Sequence, residues 1–307
     1  MNRGELDRDV VDGVVVDGDV VNSDVVDSSV VDRDAAVIFL HLPKTGGSTL
    51  AHVLERTFSE EKRFHLQVPR FQEWDDLPAA DRARLRCVYG HLPFGIHEML
   101  PRPARYLTFL RDPVERFLSD YYYVRERPEH PAHARLHEEG WAVEEYAHKV
   151  EANAMTLWLA SDVERARTGR LGVVDDASLV LARKRLEQDV AVVGLVEHFD
   201  ESWLMAAAHF GWPMVRYPRI NVSSGRPRAS DLTPEVRTIL EERLRYDRAL
   251  YADAVAKWER QRSELAISRG ARWWHQSTNL IYGILHRGTS RWREARSRAQ
   301  APVSESS

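Results

Sequence analysis

An α/β fold, one domain built on a central parallel sheet flanked by helices and closed by a long C-terminal helix, is what this sequence predicts. Three observations predict it. From Ala35 onward, short apolar runs alternate with segments of helical periodicity, the pattern of crossover units that lay strands side by side in parallel. One stretch, AAVIFLHLPKTGGST at 35–49, passes from an apolar strand through a glycine loop into an amphipathic segment without interruption. With 307 residues, 43% of them hydrophobic, the chain has the apolar material for a full core.

Residues 1–34 repeat Val-Val-Asp with Gly and Ser between, and contain no aromatic side chain. That is the composition of a disordered low-complexity tail. Its valines could add a strand to another element, but Asp, Gly and Ser at this density oppose a packed sheet. The folded domain is expected over 35–261. AVIFLHL reads as its first strand and STLAHVLERTF as the helix that follows. RCVYGH at 86–91, RYLTFL at 105–110 and VAVVGLV at 190–196 are further apolar runs short enough to be buried strands. Between Asp112 and Arg127 the signals for a helix are strong: Asp112 as N-cap, Pro113 at the first helical position and Glu115 completing a capping box.

Segments 141–150, 153–161, 176–189 and 200–210 also read as helices, the third introduced by Asp175 and Asp176. Thr233 followed by Pro234 opens a long charged helix running toward Leu265. Residues 262–307 form a basic, aromatic extension, in which Trp273, Trp274, Leu280, Ile281, Ile284 and Leu285 could share one helical face. Docking on the protein's own core, or partial disorder, is expected for it, ahead of peripheral contact with a membrane.

The formal net charge of −4 hides an asymmetry: ten acidic against three basic residues in 1–34, and eight arginines against three glutamates in 262–307. The domain between is close to neutral, so bulk charge gives no support for nucleic-acid binding. A single cysteine, Cys87, excludes an intrachain disulfide and any cysteine-based zinc site, and its expected role is buried packing. No apolar run approaches the ~18 residues of a membrane span, and the N-terminus is acidic. The expectation is a soluble, cytoplasmic protein.

The glycine loop is a phosphate cradle. Gly46 and Gly47 let the backbone come close to an anion, and the amides of Thr45 to Thr49 at a helix start can surround phosphate oxygens, with Lys44 adding a mobile charge. An isolated Gly-Gly pair would be no more than a helix-capping turn; strand, loop and helix in order favour phosphate. The nucleotide triphosphate loop reads G-x-x-x-x-G-K-[ST], whereas here the lysine precedes both glycines. A kinase or NTPase would also want an Asp ending a core strand to hold magnesium, and the residues at the strand ends are Lys44, His91 and Arg111.

LPKTGGST at 42–49, together with YLTFLRDPVERFLSDYYY at 106–123, resembles the sulfotransferases that use 3′-phosphoadenosine 5′-phosphosulfate (PAPS), in particular the branch of heparan sulfate 2-O- and 6-O-sulfotransferases. The similarity extends over about 36–260, with specificity in those two blocks and one histidine. It implies a P-loop-like architecture and, in the absence of the membrane anchor of animal Golgi members, a bacterial-type enzyme. It implies that Lys44, Thr45, Gly46, Gly47, Ser48 and Thr49 hold the 5′-phosphosulfate and that Arg111 and Ser119 hold the 3′-phosphate. GHLPF at 90–94 resembles the family's G-H-x-x-F pattern, which makes His91 the general base, with Lys44 stabilising the leaving phosphate.

These residue types suit the chemistry. Imidazole accepts a hydroxyl proton near neutral pH, and arginine offers a planar fork to a phosphate dianion. Arg111 could alternatively pair with Asp112 or Glu115. Glu98 is a lesser candidate base, and Tyr121, Tyr122 and Tyr123 are expected to pack. NAMTLWL at 153–159 is similar to a family helix with an Asn-x-Gln-Thr-Arg pattern, but Met155 and Leu157 depart from it. PRINVSSGRPR, with Arg219, Asn221, Ser223, Ser224, Arg226 and Arg228, is a basic loop that could touch cofactor or acceptor, or be a solvated surface turn. The function expected is metal-independent sulfuryl transfer from PAPS to an acceptor hydroxyl of a glycan or small molecule, leaving 3′-phosphoadenosine 5′-phosphate (PAP). The alternatives are a nucleotide kinase or NTPase, and a non-catalytic PAP- or glycan-binding module.

Overall fold

The structure is a computed structural model that describes residues 20–21, 35–68, 70–218, 227–265 and 279. Five strands, β1 (Ala36–Leu40), β2 (Arg63–His65), β3 (Cys87–Gly90), β4 (Ala104–Leu110) and β5 (Val190–Leu195), make a sheet of order β2-β3-β1-β4-β5. Every pairing in it is parallel. A parallel sheet covered on both faces reads as continuous apolar runs, and all of β1 and β3 is buried. Strand β2 lies at the edge and carries Arg63 and His65, so no apolar run announced it. From β1 the chain crosses to one side for β2 and β3 and returns to the other for β4, which opens a crevice beyond the carboxyl ends of β1, β3 and β4.

Helices α1 (Gly47–Thr57), α2 (Pro113–Glu126), α3 (Ala154–Ala160), α4 (Asp176–Gln188), α5 (Phe199–Phe210), α6 (Pro234–Arg243) and α7 (Arg245–Glu264) cover the sheet and its flank. Strand alternation divides the core. Val37, Phe39, Cys87 and Tyr89 turn to the face packed by Leu50, Val53 and Leu54 of α1 and Trp203 of α5. Ile38, Leu40 and Val88 turn to the opposite face, against Met155 and Leu159 of α3, Leu186 of α4 and Trp258 of α7. Each such side chain taken fully out of water contributes about 1.5–3 kcal/mol. Burial also pushes the Cys87 thiol up, in keeping with a packing role.

Several expectations need correction. The charged helix that starts at Thr233 does not run unbroken to Leu265: Leu244 (φ −95°, ψ 16°) ends α6 and starts α7. The bend lets Leu240 and Leu244 pack beside Phe117 and Tyr121 of α2, while Leu250 and Trp258 pack on the sheet. The capping box at Asp112 is half made. Its carboxylate accepts from the Glu115 amide at 3.0 Å, but the Asp112 amide donates to Glu197 Oε1 at 2.9 Å. Glu115 is engaged elsewhere, accepting from the Ala229 amide at 2.8 Å.

In the acidic tail, Val20–Val21 pairs antiparallel with Met214–Val215, so two of its valines do add a strand. The rest of that tail lies outside the described residues. So does most of the C-terminal extension, including the apolar face from Trp273 to Leu285; Asn279 Oδ1 accepts from the Tyr217 amide at 3.1 Å. Among the described residues no helix is long and apolar enough to cross a membrane.

Candidate active site

The loop after β1 is shaped by two left-handed residues, Lys44 (φ 68°) and Gly46 (φ 79°). A side-chain-bearing residue held there costs about 1–2 kcal/mol, strain that collects at functional turns. Thr45 between them is buried and its hydroxyl donates to the Leu42 carbonyl at 2.8 Å, so only its amide is placed for a ligand. Gly46 is the N-cap of α1, with no capping side chain and no acidic residue in the first turn. The positive end of the helix thus meets the crevice with Ser48 exposed and Thr49 buried, an arrangement suited to an anion.

Two histidines meet beneath this loop. The register pairs Leu40 with Gly90, so the residues that follow, His41 and His91, are laid side by side. Their rings stack with centroids 4.1 Å apart. His91 Nδ1 lies 2.9 Å from the His41 carbonyl, which only accepts, so Nδ1 carries the proton and the lone pair of the neutral ring is on Nε2. Burial, with the charges of His65 and Lys44, outweighs that hydrogen bond and lowers the His91 pKa from its ordinary 6.5. Trp158 of α3 stands against the same ring at 5.7 Å. Glu98, the lesser candidate, is exposed, with its carboxylate 3.9 Å from His97.

Arg111, just past β4, donates to the Lys44 carbonyl at 3.4 Å and also approaches Glu115 at 3.6 Å. The ion pair weighed from the sequence therefore exists, but the guanidinium spans it and the glycine loop together. Glu115, Ser119 and Tyr123 recur at every fourth residue and make one row along α2, with Arg111 just before the helix and Arg127 at its C-cap. Arg111 touches the loop at one end, and near the other the Lys44 ammonium sits over the Tyr123 ring, 3.6 Å from its centroid. Ser119, half-buried, lies between these contacts. Of the three tyrosines, Tyr121 packs as expected, its hydroxyl donating to the Trp141 carbonyl at 3.0 Å. Tyr123 does not: it is 40% exposed and carries two cations, Lys44 and Arg127.

NAMTLWL acts as a support. Asp247, 0% exposed, accepts from the amides of Met155 at 3.1 Å and Thr156 at 2.8 Å and from the Thr156 hydroxyl at 2.8 Å. The carboxylate of α7 thus caps α3 in place of a local residue, and Asn153 Oδ1 accepts from the Asp247 amide at 3.1 Å. Arg116 of α2 lies 3.9 Å away, so α2, α3 and α7 are joined at one buried point. Of the basic loop PRINVSSGRPR, residues 219–226 lie outside the described residues; Arg228 is described, its amide donating to Asp231 at 2.9 Å.

Comparison with known proteins decides what this crevice belongs to. The profile of the sulfotransferase family matches residues 27–252, which takes in the whole sheet, the glycine loop, His91 and α2. The chain belongs to the sulfotransferase family. Among characterised members, it is 23% identical over 288 residues to galactose-3-O-sulfotransferase 3 of Bos taurus, covering 85% of this chain and 62% of that protein. It is 32% identical over 116 residues to heparan-sulfate 6-O-sulfotransferase 1 of Cricetulus griseus, covering 30% of this chain and 28% of that one. The chain thus spans less than two thirds of the length of these sulfotransferases. Mouse sulfotransferase SULT7A1, crystallised with PAP, aligns over 74% of this chain and 90% of its own at 18% identity and a TM-score of 0.29.

Proposed function

We propose that this member of the sulfotransferase family moves the sulfuryl group of PAPS to an acceptor hydroxyl, with a carbohydrate as the acceptor class. The observation that carries the reading is the fixed tautomer of His91, whose basic Nε2 is held at the strand ends beside a phosphate loop. The loop fits the cofactor: two left-handed residues, an uncapped helix start without acidic neighbours, and an arginine fork from β4.

PAPS supplies a sulfuryl group already bonded to a phosphate leaving group. Nε2 of His91 takes the proton of the acceptor hydroxyl as its oxygen attacks sulfur. The bond from sulfur to the 5′-phosphate oxygen breaks, and its electron pair stays on that oxygen, facing Lys44 and the amides of Thr45 to Thr49. The products are a sulfate ester and PAP. Nothing in this needs covalent catalysis; the barrier falls by alignment and by donors aimed at developing charge. Arg111 and Ser119 hold the 3′-phosphate, the group that separates PAPS from ATP. A carbohydrate acceptor follows from the galactose and heparan sulfate in the relatives' names, and from Trp158, whose flat face beside His91 suits a sugar ring.

Thermal unfolding alone, with PAP, and with ATP plus magnesium tests the cofactor. A ligand at about 100 times its Kd stabilises the fold by about 2.7 kcal/mol. Stabilisation by PAP, followed by sulfate transfer to a glycan panel, is the expected result; stabilisation by ATP with magnesium alone would reject it.

A further inference from the structure

Nothing so far gives a task to His41, although it touches both halves of the site. Strand alternation sends Val37 and Phe39 to the α1 side of the sheet, with Cys87 and Tyr89 of β3 beside them; His41 and His91 come next in that alternation, one residue past each strand. His41 continues this row past the end of β1. Its ring stacks on Phe39 (centroids 5.5 Å apart, planes at 14°) and on His91 (4.1 Å, 21°). Its amide donates to the Gly90 carbonyl at 3.0 Å and its own carbonyl receives His91 Nδ1. On the remaining side stands Gly47, the first residue of α1: a Cβ there would fall 1.7 Å from His41 Nε2. Glycine at 47 is therefore required by the imidazole of His41 as well as by the turn.

We propose that His41 is a positioning residue whose ring is the spacer between the base and the phosphate loop. The inference rests on the sulfotransferase reading above. In-line transfer fixes how far the acceptor oxygen, and hence the base, stands from the leaving phosphate. A misplacement of about 1 Å can cost about 10²-fold in rate. The rigid ring of His41, wedged between the His91 ring and a glycine, sets that distance without itself touching substrate. The spacer stays uncharged, because burial and the charges of His91, His65 and Lys44 hold its imidazole well below the ordinary 6.5.

The test is steady-state turnover of PAPS with PAP affinity by calorimetry, on the whole chain and on His41→Ala and His41→Phe. His41→Ala keeps the backbone carbonyl but removes the spacer, and should lower kcat by about 10- to 100-fold while leaving PAP affinity and the KM for PAPS within about twofold. His41→Phe restores a planar ring and should recover most of kcat, which also covers the case in which the alanine variant fails to fold. Unchanged kcat in His41→Ala overturns the proposal, and so does a parallel loss of kcat and PAP affinity, which marks general damage to the loop. Loss of turnover in both variants, as deep as in His91→Ala, would make His41 a proton-transfer group and end its role as spacer. An active wild type is the control: if it neither binds PAP nor turns over PAPS, the sulfotransferase reading has failed.

Discussion

The ammonium of Lys44 rests on the face of Tyr123, Nζ 3.6 Å from the ring centroid, ten residues into the helix that begins at Pro113. Ser119 lies one turn before Tyr123, so the lysine reaches across the strip between the phosphate loop and the candidate 3′-phosphate ligand. An incoming phosphate must draw the ammonium off the ring, and an exposed cation–π contact opposes it by about 0.5–1 kcal/mol. Tyr123→Ala should therefore bind PAP about two- to fivefold more tightly by calorimetry. A weakening beyond about threefold would instead make the ring a ligand of the nucleotide.

His91→Ala separates chemistry from binding. Loss of a general base costs about 10²–10⁴ in rate, and His91 has no place in holding PAP. The variant should lose kcat by that factor and keep its PAP affinity. Lys44→Ala should lose both if, as proposed, the same ammonium neutralises ground-state phosphate and developing charge. Turnover by His91→Ala at the wild-type rate would remove the base assignment.

Arg111→Ala tests the 3′-phosphate contact with two ligands. A charge-assisted hydrogen bond is worth about 1.5–3 kcal/mol, so PAP affinity should fall about 10- to 150-fold. Adenosine 5′-phosphosulfate, which lacks the 3′-phosphate, should lose little. Equal losses for both ligands would place Arg111 on the 5′ side, where its hydrogen bond to the Lys44 carbonyl already brings it.

Four of the five sheet strands and the three strand-end residues were legible because a buried parallel sheet writes itself as short apolar runs, and the next residue out of each run faces the crevice; the edge strand β2, with Arg63 and His65, was not. Arg111 and His91 follow from that rule alone. His41 was legible by the same rule, as the residue after AVIFL, but was read as part of the strand; register, which joins it to His91, is a long-range fact. The break at Leu244 was missed because no Gly or Pro marks it; its trace is a step of six from Leu244 to Leu250, where Leu240 to Leu244 and Leu250 to Ala254 to Trp258 step by four. Asp247 was equally hidden: a capping carboxylate is sought just before a helix, and this one reaches α3 from 91 residues away.

Both stacked histidines should make the fold acid-sensitive. Each has a folded pKa below 6.5, the value regained on unfolding. Below 6.5 the unfolded chain binds protons that the folded one resists. Stability is therefore fully present above 6.5, falls as pH drops through that value, and levels off once pH is under the depressed folded pKa. Urea midpoints measured from pH 7.5 to 5 should decline over this window, and less steeply in His41→Phe. A midpoint flat across the window would mean that the rings are not shielded as packed.

Asp247 carries the heaviest structural consequence. With Asp247→Ala, Arg116 at 1% exposure loses its counter-charge and the amides of Met155 and Thr156 lose their acceptor. Stranding one member of a buried ion pair costs about 3–5 kcal/mol, against about 1 kcal/mol at most for a surface pair. The urea midpoint should drop accordingly with little change in m-value, since the surface exposed on unfolding is nearly the same. Because α3 carries Trp158 to the face of His91, kcat should fall as well, even under conditions where the variant is folded. Arg116→Met combined with Asp247→Leu removes both charges and should recover stability relative to Asp247→Ala. If the double variant is no more stable than the single one, the network owes its effect to the helix cap of α3 and the charge pair contributes little.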